Sequence, residues 1–272
     1  MASNLSTIGF SFIDDASFEA TMVKLANQAQ QRLATDQGEY AIWRSRTGAE
    51  IWFHLGARDP DEGAGAEGGE RAIMGLAPFY EGESDVRVAA TEVVKRPDDN
   101  ALEGLVHAWV APDESGIGSY PIVYEAVDFA AVAARELPVE CRCRIACFCR
   151  EISVFDSVEA LLASELNQEG PKLAAQSLVP VGLFGDLEDT GEEDADEDSD
   201  ATSPAPTVLI RGIVKAHRRQ TNEITGHAFH WMLVETLDAT LDVLADADLV
   251  ETEPREGSAI EAYAWLFGRT IA

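Results

Sequence analysis

At 272 residues and 46% hydrophobic content, the chain can build one large domain or two ordinary ones around a packed core. Its formal charge of -29 is shared by every part: residues 1 to 185 hold 14 Lys and Arg against 29 Asp and Glu, residues 186 to 206 add ten acids, and residues 207 to 272 hold 6 against 10. So acidic a chain disfavours a polyanion, whose affinity comes from basic groups displacing counterions, and no nucleic acid is expected as a partner. No apolar run approaches the roughly 18 residues of a membrane span, and Asp14 and Asp15 interrupt the stretch that a signal peptide would need apolar. A cytoplasmic protein with no membrane partner is therefore expected.

In chain order, Thr7 to Ile13 alternates Ile8, Phe10 and Phe12 on one face, the period of a half-buried strand. Asp14 or Asp15 can cap a following helix, whose stripe is Phe18, Met22, Leu25, Ala29 and Leu33, with Gly38 ending the segment. Glu39 to Ser45 and Ala49 to Leu55 predict two strands joined at Thr47-Gly48. Residues 56 to 84, rich in Gly, Glu, Asp and Pro, predict a long loop with an apolar anchor at Ile73 to Tyr80. Strands are expected at Val86 to Val94, Leu105 to Ala111 and Tyr120 to Val127, then a short helix from Phe129 to Glu136 between Asp128 and Pro138.

This opening order, with its Tyr40-x-x-Trp43 strand, Thr47-Gly48 turn and Ala49-Glu50-Ile51-Trp52 strand, resembles the βαβββ module of the vicinal-oxygen-chelate superfamily, the glyoxalases and their relatives. The resemblance implies a ligand-binding cleft over the sheet. Metal-dependent members place a ligand such as histidine on the first strand, where this chain has Ile8, Phe10 and Phe12, so it implies a metal-free binding version. Taken whole, the sequence resembles uncharacterised bacterial proteins more than any family of known activity.

Val139 to Phe155 is the most patterned segment. In an extended strand Cys141, Cys143, Ile145, Cys147 and Cys149 point one way and Arg142, Arg144, Phe148 and Arg150 the other. The four cysteines are the candidate metal ligands, since clustered thiolates select soft ions. Spacing along a strand opposes this: same-face sulfurs are expected about 6 to 7 Å apart, whereas a zinc knuckle brings two together on a turn. A buried, reduced, metal-free face is expected, and no cofactor. Asp156 with Glu159 predicts a capped helix with a stripe of Val158, Leu161, Leu162 and Leu166, ended by Gly170-Pro171, and Leu173 to Phe184 is too broken for another.

Asp186 to Pro206 carries ten carboxylates and no lysine, arginine or aromatic residue, the composition of a disordered linker. After it, Thr207 to Arg218, the run around Phe229 to Val234, Ala239 to Ala245 and Ser258 to Gly268 predict four strands. The run Gly212 to Leu237 resembles the opening of an OB-fold, which implies a small closed barrel over 207 to 272 and, in many such barrels, a single-strand ligand. Here His217, Arg218 and Arg219 near Trp231, Tyr263 and Trp265 would have to supply that face; with the region net acidic, core aromatics and a solvated turn are expected instead.

The fold class expected is thus α+β and predominantly β: a mixed or antiparallel sheet with packed helices at 1–185, an acidic linker at 186–206 and a small OB-like barrel at 207–272. The candidate catalytic or binding residues are His54, His107 and Glu125, which neighbouring strands of one sheet could gather into an acid-base or metal cleft. His227 and His230, three apart on a strand, face opposite ways and are not expected to share an ion. P-loop, G-x-S-x-G, G-x-G-x-x-G and H-E-x-x-H patterns do not occur. The leading functional expectation is a non-enzymatic binding or interaction module, with another protein as partner; a small-molecule enzyme or binder with its pocket in the N-terminal sheet is second, and a single-strand binder third. Limited proteolysis should cut first between Asp186 and Pro206, where apolar anchoring is weakest; first cuts elsewhere with this tract protected would show that it is docked.

Overall fold

The computed structural model describes residues 3–57, 71–170, 172–184 and 204–271. The molecule is mostly β, with four short helices: α1 (Asp15–Asn27), α2 (Phe129–Ala133), α3 (Val158–Ala163) and α4 (Glu165–Glu169). Strands β1 (Gln31–Thr35), β2 (Gly38–Arg44), β3 (Ala49–Ala57) and β4 (Arg71–Tyr80) form an antiparallel sheet in that order. The remaining strands form one mixed sheet: β5 (Val86–Val94), β6 (Leu105–Val110), β7 (Tyr120–Ala126), β8 (Val139–Phe155), β9 (Ser177–Val179), β10 (Thr207–Thr221), β11 (Ala228–Thr236), β12 (Ala239–Asp246) and β13 (Ala259–Ile271).

Pairing in this second sheet returns twice to its starting strand. One circuit runs β10, β11, β12, β8, β13 and back to β10, with β12 parallel to β8. The other runs β8, β5, β6, β7, β13 and back to β8, with β7 parallel to β13 over Phe267↔Glu125 and Gly268↔Ala126. The long antiparallel pair β8 and β13 belongs to both.

Two apolar clusters explain the strand patterns. One gathers Cys143, Ile145, Cys147 and Cys149 of β8 with Val88, Val106, Ile122, Val208, Met232, Val243 and Ile260. The other packs the opposite face, Phe148, Trp231, Leu244 and Phe267, against Tyr40, Trp52, Phe53, Phe79 and Tyr80 of the four-stranded sheet, with Met22 and Leu25 of α1. Ile145 to Cys149 are therefore buried on both faces, which is why this run reads as continuous rather than alternating hydrophobicity.

Several expectations need correction. Thr7 to Ile13 is not a strand: Ser6–Ile8 forms a 3-10 turn ended by Gly9 at φ 81, a left-handed conformation that glycine adopts without steric cost. Its carbonyls are met by side chains, Asn222 Nδ2 donating to Ile8 O and the Thr225 hydroxyl to Gly9 O. Asp14 does cap α1, accepting from Ser17 N at 2.7 Å, but the helix stops at Asn27 because Gln30 and the residues after it pair with β2, a tertiary preference that overrides the continuing stripe at Leu33. Ile73 to Tyr80, expected as an anchor within a loop, belongs to strand β4 (Arg71–Tyr80); residues 58–70 of the same expectation lie outside the described residues. The cap of α3 is Ser157, accepting from Ala160 N, not Asp156, and Leu162 and Leu166 are exposed. The strands of residues 207–272 complete a circuit only through β8, and the sheet runs across the boundary expected at 186–206, of which 186–203 lies outside the described residues.

A charged network ties the two sheets together. Glu50 of β3, fully buried, accepts from Arg44 Nε at 2.5 Å and Trp52 Nε1 at 2.8 Å and lies 3.6 Å from Arg269 of β13. Glu81 receives Arg44 at 3.0 Å, Arg144 of β8 at 3.2 Å and the second guanidinium nitrogen of Arg269. Glu50→Leu leaves the buried Trp52 Nε1 without its acceptor, while Arg44 and Arg269 keep Glu81, so it should cost roughly 1 to 3 kcal/mol. Arg255→Met, which breaks the exposed pair with Asp156, should cost about 1 kcal/mol or less. Urea denaturation of the two variants measures the contrast; similar small losses would remove the network as the joint between sheets.

Candidate functional site

The three residues expected to meet in one sheet are divided between two. His54 lies on β3 of the four-stranded sheet, while His107 and Glu125 lie on β6 and β7 of the other. Register sets His107 opposite Val123 and Glu125 opposite Leu105, so those two share a face as diagonal neighbours. His54 Nδ1 instead meets Glu103 Oε1 at 2.9 Å, with Asn100 Nδ2 at 3.3 Å, and its ring stands edge-on to Tyr40. Its Nε2 is buried with no hydrogen-bond partner among the described residues, as is Nε2 of His107. Burial pushes the Glu103 carboxyl up, but hydrogen bonds and charge from His54 outweigh it and hold it below its ordinary range. Glu125 accepts from Trp265 Nε1 at 3.1 Å and lies 3.8 Å from Arg96; burial pushes its carboxyl up. His54 with Glu103, and Glu125 with Trp265, are thus paired within the chain, while the two Nε2 atoms are left without a partner among the described residues.

Trp231 of β11 and Arg218 of β10 likewise have partners within the chain. Trp231 is fully buried, its Nε1 donating to Asp242 at 2.8 Å, and Arg218 lies over its ring at 4.4 Å while pairing with Glu83 at 2.7 Å. Asp242 also accepts from Glu83 N and Ser84 N, and burial pushes its carboxyl up. Gly82 is required here, since a Cβ would stand 2.1 Å from that carboxylate.

Among the described residues two clusters could hold a metal ion, and sequence spacing pointed to neither, because their members come from different strands and turns. His217, His230 and Glu253 form one; His227, Asp246 and Asp248 form the other. His227 and His230 thus fall in separate clusters, as their spacing implies. In the first, His217 Nε2 and His230 Nδ1 are 2.8 Å apart, the rings are within 13° of parallel, and their centroids are 5.1 Å apart. That separation equals the nitrogen distance plus one ring radius on each side, so the two lone-pair directions lie on one line. They share a proton rather than converge on a third atom, and an ion would have to turn one ring.

The second cluster opens onto a cavity. His227 Nε2 meets Asp246 Oδ1 at 2.9 Å, and the same oxygen accepts from Asp248 N at 3.0 Å, capping the turn Ala247–Leu249. Asp246 and Asp248 line a pocket of about 450 Å³ with Leu5, Phe10, Phe12 and Leu249 and the serines Ser3, Ser6 and Ser11. The departure of Thr7 to Ile13 from strand geometry is what builds this wall.

The cysteines divide in a way that regular strand spacing does not anticipate. Cys141 and Cys143 bring their sulfurs to 3.7 Å, not the 6 to 7 Å expected. Cys147 and Cys149 are buried in the core, which pushes Cys149 up to about 12 and Cys147 upward as well. No family model matches the chain, and neither a curated protein nor a solved structure matches it.

Burial holds both His217 and His230 below the ordinary histidine value of 6.5, against the attraction of Glu253; Arg219 reinforces the effect at His230. The folded state then binds fewer protons than the unfolded one, so the pair's contribution is fully present above pH 6.5 and is lost as pH falls through and below it. Chemical denaturation of wild type at pH 8 and pH 5 should show a loss of stability that shrinks in the double variant His217→Gln, His230→Gln; an unchanged loss would place the proton uptake elsewhere.

Proposed function

We propose that the chain is a cytoplasmic, non-enzymatic binding module whose ligand site is the pocket between residues 3–12 and the end of β12. The observation that carries this reading is the lining: an apolar wall of Leu5, Phe10, Phe12 and Leu249 faces two carboxylates within one cavity of about 450 Å³. Small-molecule sites have this make-up, apolar for affinity and with few polar groups for orientation. Aromatic rings beside carboxylates suit a small organic cation, whose charge meets Asp246 and Asp248 while its carbon body covers the phenyl rings. The acidic chain favours the same sign of ligand.

The circuit of β10, β11, β12, β8 and β13 is read as a small barrel of the OB-like kind, completed by a strand from the N-terminal part. Its use as a single-strand binder is disfavoured, because Arg218 is already held by Glu83 and stacked on a buried Trp231. A partner protein would bind elsewhere on the surface.

A thermal-shift series of primary and quaternary alkylammonium ions against their neutral alcohol analogues tests the pocket. The cations should raise Tm in a concentration-dependent way, the alcohols should not, and Asp248→Asn should reduce the shift at least about tenfold in effective affinity. Equal responses to ions and alcohols, or a shift indifferent to Asp248→Asn, would overturn the reading.

A further inference from the structure

We propose that Cys141 and Cys143 form a dithiol that a hydroperoxide oxidises reversibly to a disulfide, Cys141 attacking and Cys143 resolving. The geometry is specific to this pair. Their sulfurs already lie 3.7 Å apart on one face of β8. Two residues along a strand advance about 6.7 Å, the upper limit of the Cα separation that a disulfide spans, and parallel side chains set the Cβ atoms about as far apart, so closing the bond requires β8 to bend at Cys141.

The two positions differ in the way the roles require. Cys143 is fully buried and held on both sides, opposite Val86 of β5 and Thr270 of β13. Cys141 is partly exposed and pairs with Val88 of β5, one position past the Ile271↔Arg142 pair at which the register with β13 ends among the described residues. The accessible sulfur is therefore the one held by a neighbouring strand on one side only.

Local electrostatics favour the same assignment. The contact with Cys143 holds the Cys141 thiol below its ordinary value, and the charge of Arg135 adds to this, while burial and Asp128 oppose it. Cys143 is pushed up by the Cys141 contact and by burial, and its sulfur lies 3.7 Å from the Tyr124 hydroxyl, a group burial holds protonated. The Tyr124 contact pulls the Cys143 thiol down, but the Cys141 contact and burial outweigh it and keep the proton on the inner sulfur.

In the first step the Cys141 thiolate attacks the terminal oxygen of the hydroperoxide. The O–O bond breaks, Cys141 becomes a sulfenic acid, and the alkoxide or hydroxide leaves with a proton as alcohol or water. In the second, the Cys143 sulfur attacks the Cys141 sulfur, the S–S bond forms and water leaves with the Cys143 proton. Two thiols lose two electrons, and one O–O bond is reduced. A small-molecule dithiol such as dithiothreitol returns the pair by exchange. Cys147 and Cys149 are the internal comparison, being equally spaced in sequence but fully buried.

The test treats reduced full-length protein with a slight excess of hydrogen peroxide, blocks free thiols and reads mass. Arg142 lies between the two cysteines, so trypsin separates residues 136–142 from 143–144, and only a disulfide keeps these peptides together. The expected result is that linked pair, dissolved by dithiothreitol. Cys143→Ser should accumulate a sulfenic acid on Cys141 that dimedone traps, and Cys141→Ser should leave Cys143 unmodified. Before oxidation, iodoacetamide should label Cys141 at least about tenfold faster than Cys147 or Cys149. Separate unlinked peptides from oxidised wild type, a dimedone adduct on Cys143 in Cys141→Ser, or equal labelling of all four thiols would overturn the proposal.

Discussion

Two carboxylates and three guanidinium groups decide how the two sheets meet. Glu50 and Glu81 come from the four-stranded sheet and the turn after it, Arg144 and Arg269 from the strand pair β8 and β13, and Arg44 spans both carboxylates. Apolar contact alone would allow the faces to slide, since dispersion and area burial are not directional. Glu50, fully buried at that spot, allows only a placement that brings Arg44 and Arg269 to it, because any other leaves a desolvated carboxylate unpaired. Arg269 also lies over Phe79 at 5.4 Å, so the same residue joins the charged seam to the apolar one.

Around that seam the strand pair β8 and β13 acts as a shared wall. One face of β8 carries its cysteines into the core that both circuits enclose, and the other carries Ala146 and Phe148 toward the four-stranded sheet. Small side chains on the first face fit a place where several strands converge: Gly268 of β13 sits so close to Tyr124 that a Cβ would stand 2.3 Å from its ring. Cysteine serves here chiefly as a compact apolar residue, and only at Cys141, where β13 no longer covers the strand, is its chemistry partly exposed.

Much of this was legible in the residues. Alternation located β2, β3, β5 to β8 and β10 to β13 within a few positions, because each of these strands buries a face over much of its length and so carries its own pattern. What failed was pairing across the chain. That β8 lies beside β12 and β13 depends on contacts roughly a hundred residues apart, which no local window contains. The same limit hid the cavity: Phe10 and Phe12 were legible as buried, but not the Gly9 turn that sets them beside Asp246 and Asp248. His54 was legible as a candidate, yet its partner proved to be Glu103 on a connecting segment rather than a group on the neighbouring strand.

The double membership of β13 bears on how the molecule is made. Each circuit closes only when β13 is laid against β8, so on the ribosome β5 to β8 must wait, edges unpaired, until residues 259–271 emerge. Folding should accordingly be slow and largely post-translational, as expected of topologies dominated by distant pairings. During that interval the outer edge of β8, whose three arginines are nearly offset by Glu140 and Glu151, is an unpaired template that a second nascent copy can join.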